Sequence, residues 1–217
     1  MRIEPVSGRD IEFQLAHEII SGVEDTLFLM FETEPEFIVK SKFLYPLIIS
    51  ENTSLCSAFD LNKKISRTSF IELTKKVKIE VTTLQLAIIS NQVSIVKRII
   101  KYLMNNDKDE EKINEVLADK TSLVLPNNYQ MIDIFSCDLR SLEGSNCVHL
   151  AVKYSSECLR LLLKFMRQGG SMKSIRYLLT EKDTSYGNTP LHVSASLLDT
   201  TSLRLVYSAL LIIGYIL

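Results

Sequence analysis

Between residues 93 and 104 the apolar positions recur at intervals of three and four. Val93, Val96, Ile100 and Leu103 form the series, Ile95 and Ile99 lie beside them, and Lys97, Arg98 and Lys101 fall on the other side. That is the stripe of an amphipathic helix with one face turned to a core. SECLRLLLKFM, from Ser156, repeats it with Leu159, Leu162, Leu163 and Met166, and SLRLVYSALLIIG, from Ser202, repeats it again. Each stripe is preceded by a short, dense apolar stretch: LQLAII from Leu84, VHLAV from Val148 and PLHVSA from Pro190. The pattern predicts pairs of helices, the first short and the second longer, joined by a tight turn. Ile175, Leu178 and Leu179 predict an added helical turn or two over 171–179. The charged run 105–112 reads as a solvated loop or helix start. Only seven Gly and five Pro among 217 residues favour helix over a strand-and-turn fold.

The short stretches share more than composition. In GNTPLHVSA, Thr189 suits a helix N-cap and Pro190 the first helical position, where a missing N–H costs nothing. Leu191, Ser194 and Ala195 are expected to face inward. In the same register stand Asn146–Ala151 and Thr82–Ala87, and Gly144 precedes Val148 by four residues as Gly187 precedes Leu191. Two weaker copies begin at Phe13 and at Tyr45-Pro46-Leu47. The register marks 13, 47, 84, 148 and 191 are spaced by 34, 37, 64 and 43 residues. A base period near 33 fits the first two; the last is ten longer, and the third is about 31 longer.

A period near 33 carrying Thr-Pro-Leu-His-x-Ala resembles the ankyrin repeat. The resemblance implies an all-α fold: an ankyrin-repeat solenoid of about five stacked helix-turn-helix repeats, with a long insertion after the third. The repeats are expected near 9–40, 43–78, 80–104, 144–170 and 187–217, with the insertion at 105–143, in a single domain spanning 1–217. TSLVLP at 121–126 mimics the motif weakly, but Pro126 falls where an inner helix needs its N–H. Gly214 stands where the family places its helix-stopping glycine. His149 and His192 occupy the motif's histidine position, where the family uses the ring for hydrogen bonds between neighbouring loops, and His17 is expected on the inner helix face. Terminal repeats need a polar outer face, yet the last helix is strongly apolar, so self-association through 203–217 is expected.

Composition narrows the function. Net charge is −1, without the basic face a nucleic-acid binder needs. The first ten residues lack the apolar segment of a secretory signal. The longest apolar run, LVYSALLIIGYIL, has 13 residues, short of the roughly 20 of a membrane span. Cys56, Cys137, Cys147 and Cys158 show no C-x-x-C pairing and read as small hydrophobes in a reducing compartment. No nucleophile-elbow, zinc-protease, phosphate-loop or dinucleotide motif occurs. The expectation is a non-enzymatic protein-interaction module with no cofactor and no metal, in the cytoplasm and extending to the nucleus.

One local likeness is sharper. LQLAIISNQ is similar to a repeat of the inhibitor-of-NF-κB group, through Leu84, Leu86, Ala87, Ile89, Asn91 and Gln92. That resemblance implies a regulatory inhibitor that binds a Rel/NF-κB-type transcription factor dimer and masks its basic nuclear-localisation segment. The alternative is a generic ankyrin scaffold or adaptor, a pathogen-encoded mimic, or a fragment of a larger ankyrin protein, with an unrelated partner. Partner contacts are expected at Ser90, Asn91 and Gln92 after the third motif, at Lys153 and Tyr154 after the fourth, and at Tyr186 and Asn188 on the loop before the fifth. Asp107, Asp109, Glu110 and Glu111 are candidates for an acidic patch that would speed association with a basic segment.

Overall fold

The computed structural model describes residues 8–22, 24–46, 78–106, 110–124, 142–169 and 172–214. The chain is mainly helical. In order, the helices are α1 (Gly8–Ser21), α2 (Glu24–Thr33), α3 (Pro35–Lys40), α4 (Thr83–Ile89), α5 (Val93–Asn106), α6 (Glu110–Ala118), α7 (Cys147–Tyr154), α8 (Ser156–Gly169), α9 (Met172–Thr180), α10 (Pro190–Ser196) and α11 (Thr200–Ile212). Strands β1 (Lys42–Pro46), β2 (Lys78–Thr82) and β3 (Ser122–Val124) form an antiparallel sheet in the order β1-β2-β3. The all-helical expectation therefore holds for the bulk of the described residues and misses this sheet.

The predicted stripes become buried faces. On α5, Ile95, Val96, Ile99, Ile100 and Leu103 are buried, while Lys97 and Lys101 are exposed. On α8, Leu159, Leu162, Leu163, Phe165 and Met166 are buried between exposed Glu157, Arg160 and Lys164. The helix expected near 171–179 forms as α9 and buries Ile175, Leu178 and Leu179. The short helices are capped as their sequences dictate. Gln85 N–H donates to Thr82 Oγ1 at 3.2 Å and Thr82 N–H to Gln85 Oε1 at 2.9 Å, a reciprocal capping box. Asn146 Oδ1 accepts from the N–H groups of Val148 and His149 at 3.0 and 3.1 Å.

The helices group by packing. α1 packs on α4, α4 on α7, and α7 on α10; α5 packs on α8 and α8 on α11. Arg98 of α5 ties this second row to α2, reaching Glu32 at 3.3 Å and lying 4.4 Å over the Phe28 ring. A third helix closes each of the first three groups and packs on the first helix of the next: α3 on α4, α6 on α7, α9 on α10. Tight turns join first to second helix. Gly22, Asn91 and Leu198 occupy the same place in three of them, with φ of 68°, 54° and 54°.

The connections between groups all close the same way. Phe43 pairs with Val81; Thr121 N–H donates to Ser145 O at 3.0 Å; Asp183 N–H donates to Asn188 O at 2.8 Å. Val81, Ser145 and Asn188 each stand directly before a helix N-cap: Thr82, Asn146 and Thr189. Each connection thus closes on a common base, whatever the number of residues between its two sides. Most of the expected repeat at 43–78 lies outside the described residues. Residues 42–46 and 78–82 pair as antiparallel strands, and α1 packs on α4. The mark at Leu47 lies outside the described residues. The expected inner-face position of His17 is corrected: its side chain is exposed on α1.

Candidate functional site

The hairpin bases carry a recurring set of polar links. Gln85 and His149 stand at one register position on α4 and α7, and both are buried, 1% and 2% exposed. Each reaches the hairpin base that follows its own group. Gln85 Nε2 donates to Asp119 O at 2.6 Å, and His149 Nε2 lies 3.0 Å from Asn188 O. The other ring nitrogen, Nδ1, is 2.8 Å from Asn146 Oδ1. The Asn146 amide is oriented by its neighbours, since its NH2 donates to Leu178 O at 3.2 Å. Burial lowers the His149 pKa; Asn188 O and the charge of Asp183 pull the other way.

Ion pairs repeat beside these links. Lys42 and Lys120 each stand one residue before the base pair of their hairpin. Lys42 reaches Asp119 at 2.7 Å and Lys120 reaches Glu181 at 2.5 Å, in each case the acid of the next base. The bond from Asp119 raises the Lys42 pKa. A groove of about 340 Å³ lies beside the first of these pairs, with Glu36, Lys40, Tyr102 and Glu115 on its walls. No nucleophile–base pair stands in it. Among the described residues no group of three His, Cys, Asp or Glu is placed to hold a metal, and no helix is long and apolar enough to cross a membrane. Cys147 is buried and its thiol is pushed up to about 12 by loss of solvent, which suits a packing role.

The expected contact residues fall into two places. Ser90, Asn91 and Gln92 form the α4–α5 turn, and Lys153 and Tyr154 end α7, with the Lys153 ammonium 5.8 Å from the Tyr154 ring. Tyr186 and Asn188 lie at the other end, on the third hairpin. Helices of seven and eight residues separate the two sets by about 11 Å. Gln92 is used inside the molecule: its Nε2 donates to Ile20 O at 3.2 Å, and its amide packs against Gly22. Asn188 O is used by His149. Asn91, Tyr154 and Tyr186 are exposed. Residues 83–88 and 147–152 are buried throughout, so these parts of α4 and α7 offer no open surface. Asp107 and Asp109 lie outside the described residues, as do the side chains of Glu110 and Glu111, whose backbone starts α6.

Sequence reading missed the repeated lysines. Their signal was the recurrence of Lys42, Lys120 and Lys182, each two residues past the end of a third helix, at Lys40, Ala118 and Thr180. Comparison of the chain with protein-family models, curated proteins and solved structures finds no match.

Proposed function

We propose that this chain is a non-enzymatic protein-interaction module built on an ankyrin-type array of helix pairs, and that its partner is a Rel-type transcription factor dimer. The observation that carries the first half is the recurring hairpin base. Three connections of different length close one residue before a capped short helix, and the short helices pack in chain order. A lengthwise stack of that kind offers an extended surface for another polypeptide.

The second half rests on the likeness of LQLAIISNQ to the inhibitor-of-NF-κB group. The turn explains part of that likeness physically. Asn91 tolerates the left-handed backbone, and Gln92 ties α4 to α1. Masking of a basic segment would draw on Glu110 and Glu111 at the start of α6, and on the exposed aromatic rings of Tyr154 and Tyr186.

The test is titration of the full chain with a purified Rel-type dimer that retains its basic nuclear-localisation segment. Saturable binding that weakens when Asp107, Asp109, Glu110 and Glu111 are reversed to lysine supports the reading. No binding at about 10 µM, a level at which regulatory complexes are well populated, rejects this partner. The interaction-module reading would then stand alone, with an unrelated partner.

A further inference from the structure

We propose that the face of α10 and α11 left uncovered among the described residues is a docking surface for a partner polypeptide. That partner presents a carboxylate and a free backbone carbonyl on a tight turn beside an apolar helix. The proposal rests on the packing of this chain and is independent of the Rel-type reading.

Four of the polar links at the hairpin bases share one direction, although Ser185 Oγ donates back to Glu143 O and Gln92 Nε2 to Ile20 O. In each of the four, the earlier group supplies the donor and the next hairpin base supplies the acceptor. Lys42 donates to Asp119, and Lys120 to Glu181; Gln85 donates to Asp119 O, and His149 faces Asn188 O. Lys182 occupies the place of Lys42 and Lys120, one residue before the Asp183–Asn188 base. His192 occupies the place of Gln85 and His149, three residues after the N-cap Thr189. Both are exposed, and among the described residues nothing accepts from either Lys182 Nζ or His192 Nε2.

The His192 ring is set as a donor. Its Nδ1 accepts from Thr189, whose N–H lies at 3.3 Å and whose hydroxyl lies at 2.8 Å. The proton of the neutral ring is therefore on Nε2, pointing away from the cap. The apolar positions follow the same logic. Leu84 and Ile88 on α4, and Val148 and Val152 on α7, are buried, whereas Leu191 on α10 is half-buried and Ala195 is exposed. Among the described residues, the fourth group leaves exposed the positions that the next group covers in the second and third.

The donors decide the occupant. A second copy meeting this surface face to face would set Lys182 and His192 against their own counterparts, donors against donors. A second copy stacked head to tail would bring its first hairpin base, where Ser41 stands in the place of Asp119 and Glu181 and supplies no carboxylate. An acidic turn satisfies both donors at once, as Glu181 and Asn188 do one step earlier in the row.

The probe is a fluorescent peptide of residues 172–196. It carries Glu181 and the 183–188 turn, the segment that meets Lys120 and His149 in the chain's own fold. Saturable binding to the full chain is expected, weakened about tenfold by K182E, the size of one well-placed charge pair, and by H192L. An E181K peptide should recover binding to the K182E protein. Both protein variants alter exposed side chains, so circular dichroism should match the parent. No saturable binding at about 1 mM, the weak limit of specific recognition, would overturn the proposal. So would binding indifferent to K182E and H192L. Sedimentation that finds the chain self-associated through this surface, with K182E without effect, would overturn it as well.

Discussion

The links between helix groups predict that position 149 accepts glutamine but not leucine. Gln85 performs on α4 what His149 performs on α7: it meets its own cap and reaches the next hairpin base. In His149→Leu the ring's bonds are lost, but neither acceptor is orphaned. Asn188 O keeps the Asp183 N–H at 2.8 Å, and Asn146 Oδ1 keeps two backbone donors. The loss is therefore near that of one to two net hydrogen bonds, about 1 to 2 kcal/mol, without a burial penalty for a bare polar group. His149→Gln keeps a donor toward Asn188 O and should cost under about 0.5 kcal/mol. Urea unfolding at pH 7.5 reads both. A leucine variant as stable as the parent, or a glutamine variant as damaged as the leucine one, would refute the reasoning. The same pair of proteins gives the pH test. Burial lowers the folded-state pKa of His149, so the unfolded chain takes up the proton first. The contribution of this ring is full above the unfolded pKa, about 6.5, and is lost as pH falls through the interval down to the folded value. Parent-minus-glutamine stability should therefore shrink on acidification. Growth of that difference toward acid would mean that Asn188 O and Asp183 outweigh burial.

Three further outcomes are expected. Gly144→Ala puts a Cβ 2.2 Å from Thr184 Oγ1 and 2.6 Å from Thr184 N at φ +68°, so thermal melts should reveal a loss of about 3 kcal/mol or more, with the second and third hairpins pushed apart. Leu198 is 86% exposed and held at φ +54°, so Leu198→Gly should leave stability unchanged or raise it by up to about 1 kcal/mol; a clear loss would mean that the side chain packs in a way its exposure does not reveal. The Cys147 thiol, pushed up to about 12 by burial, should resist alkylation at pH 8 until the chain unfolds, as followed by mass spectrometry of its peptide; rapid native labelling would contradict the burial.

Much of the helical framework is written locally. The three-and-four spacing from Val93, the Leu159–Leu163 cluster and the set at Ile175, Leu178 and Leu179 each mark a helix and its buried face. Thr82, Asn146 and Thr189 mark where short helices begin, because caps and stripes depend on residues within one or two turns. The turn at Asn91 was legible for the same reason, although its partner, Ile20 O on α1, was not. The tertiary structure decided what the period could not. It made Lys42–Pro46 and Lys78–Thr82 paired antiparallel strands, because antiparallel pairing joins residues of any separation and leaves no fixed interval. It also brought Lys42 to Asp119, Lys120 to Glu181 and His149 to Asn188, contacts that span dozens of residues and leave no periodic trace. Local spacing fixes the shape of each element; only the closing of the chain on itself fixes which polar groups are answered and which, at Lys182 and His192, still face outward.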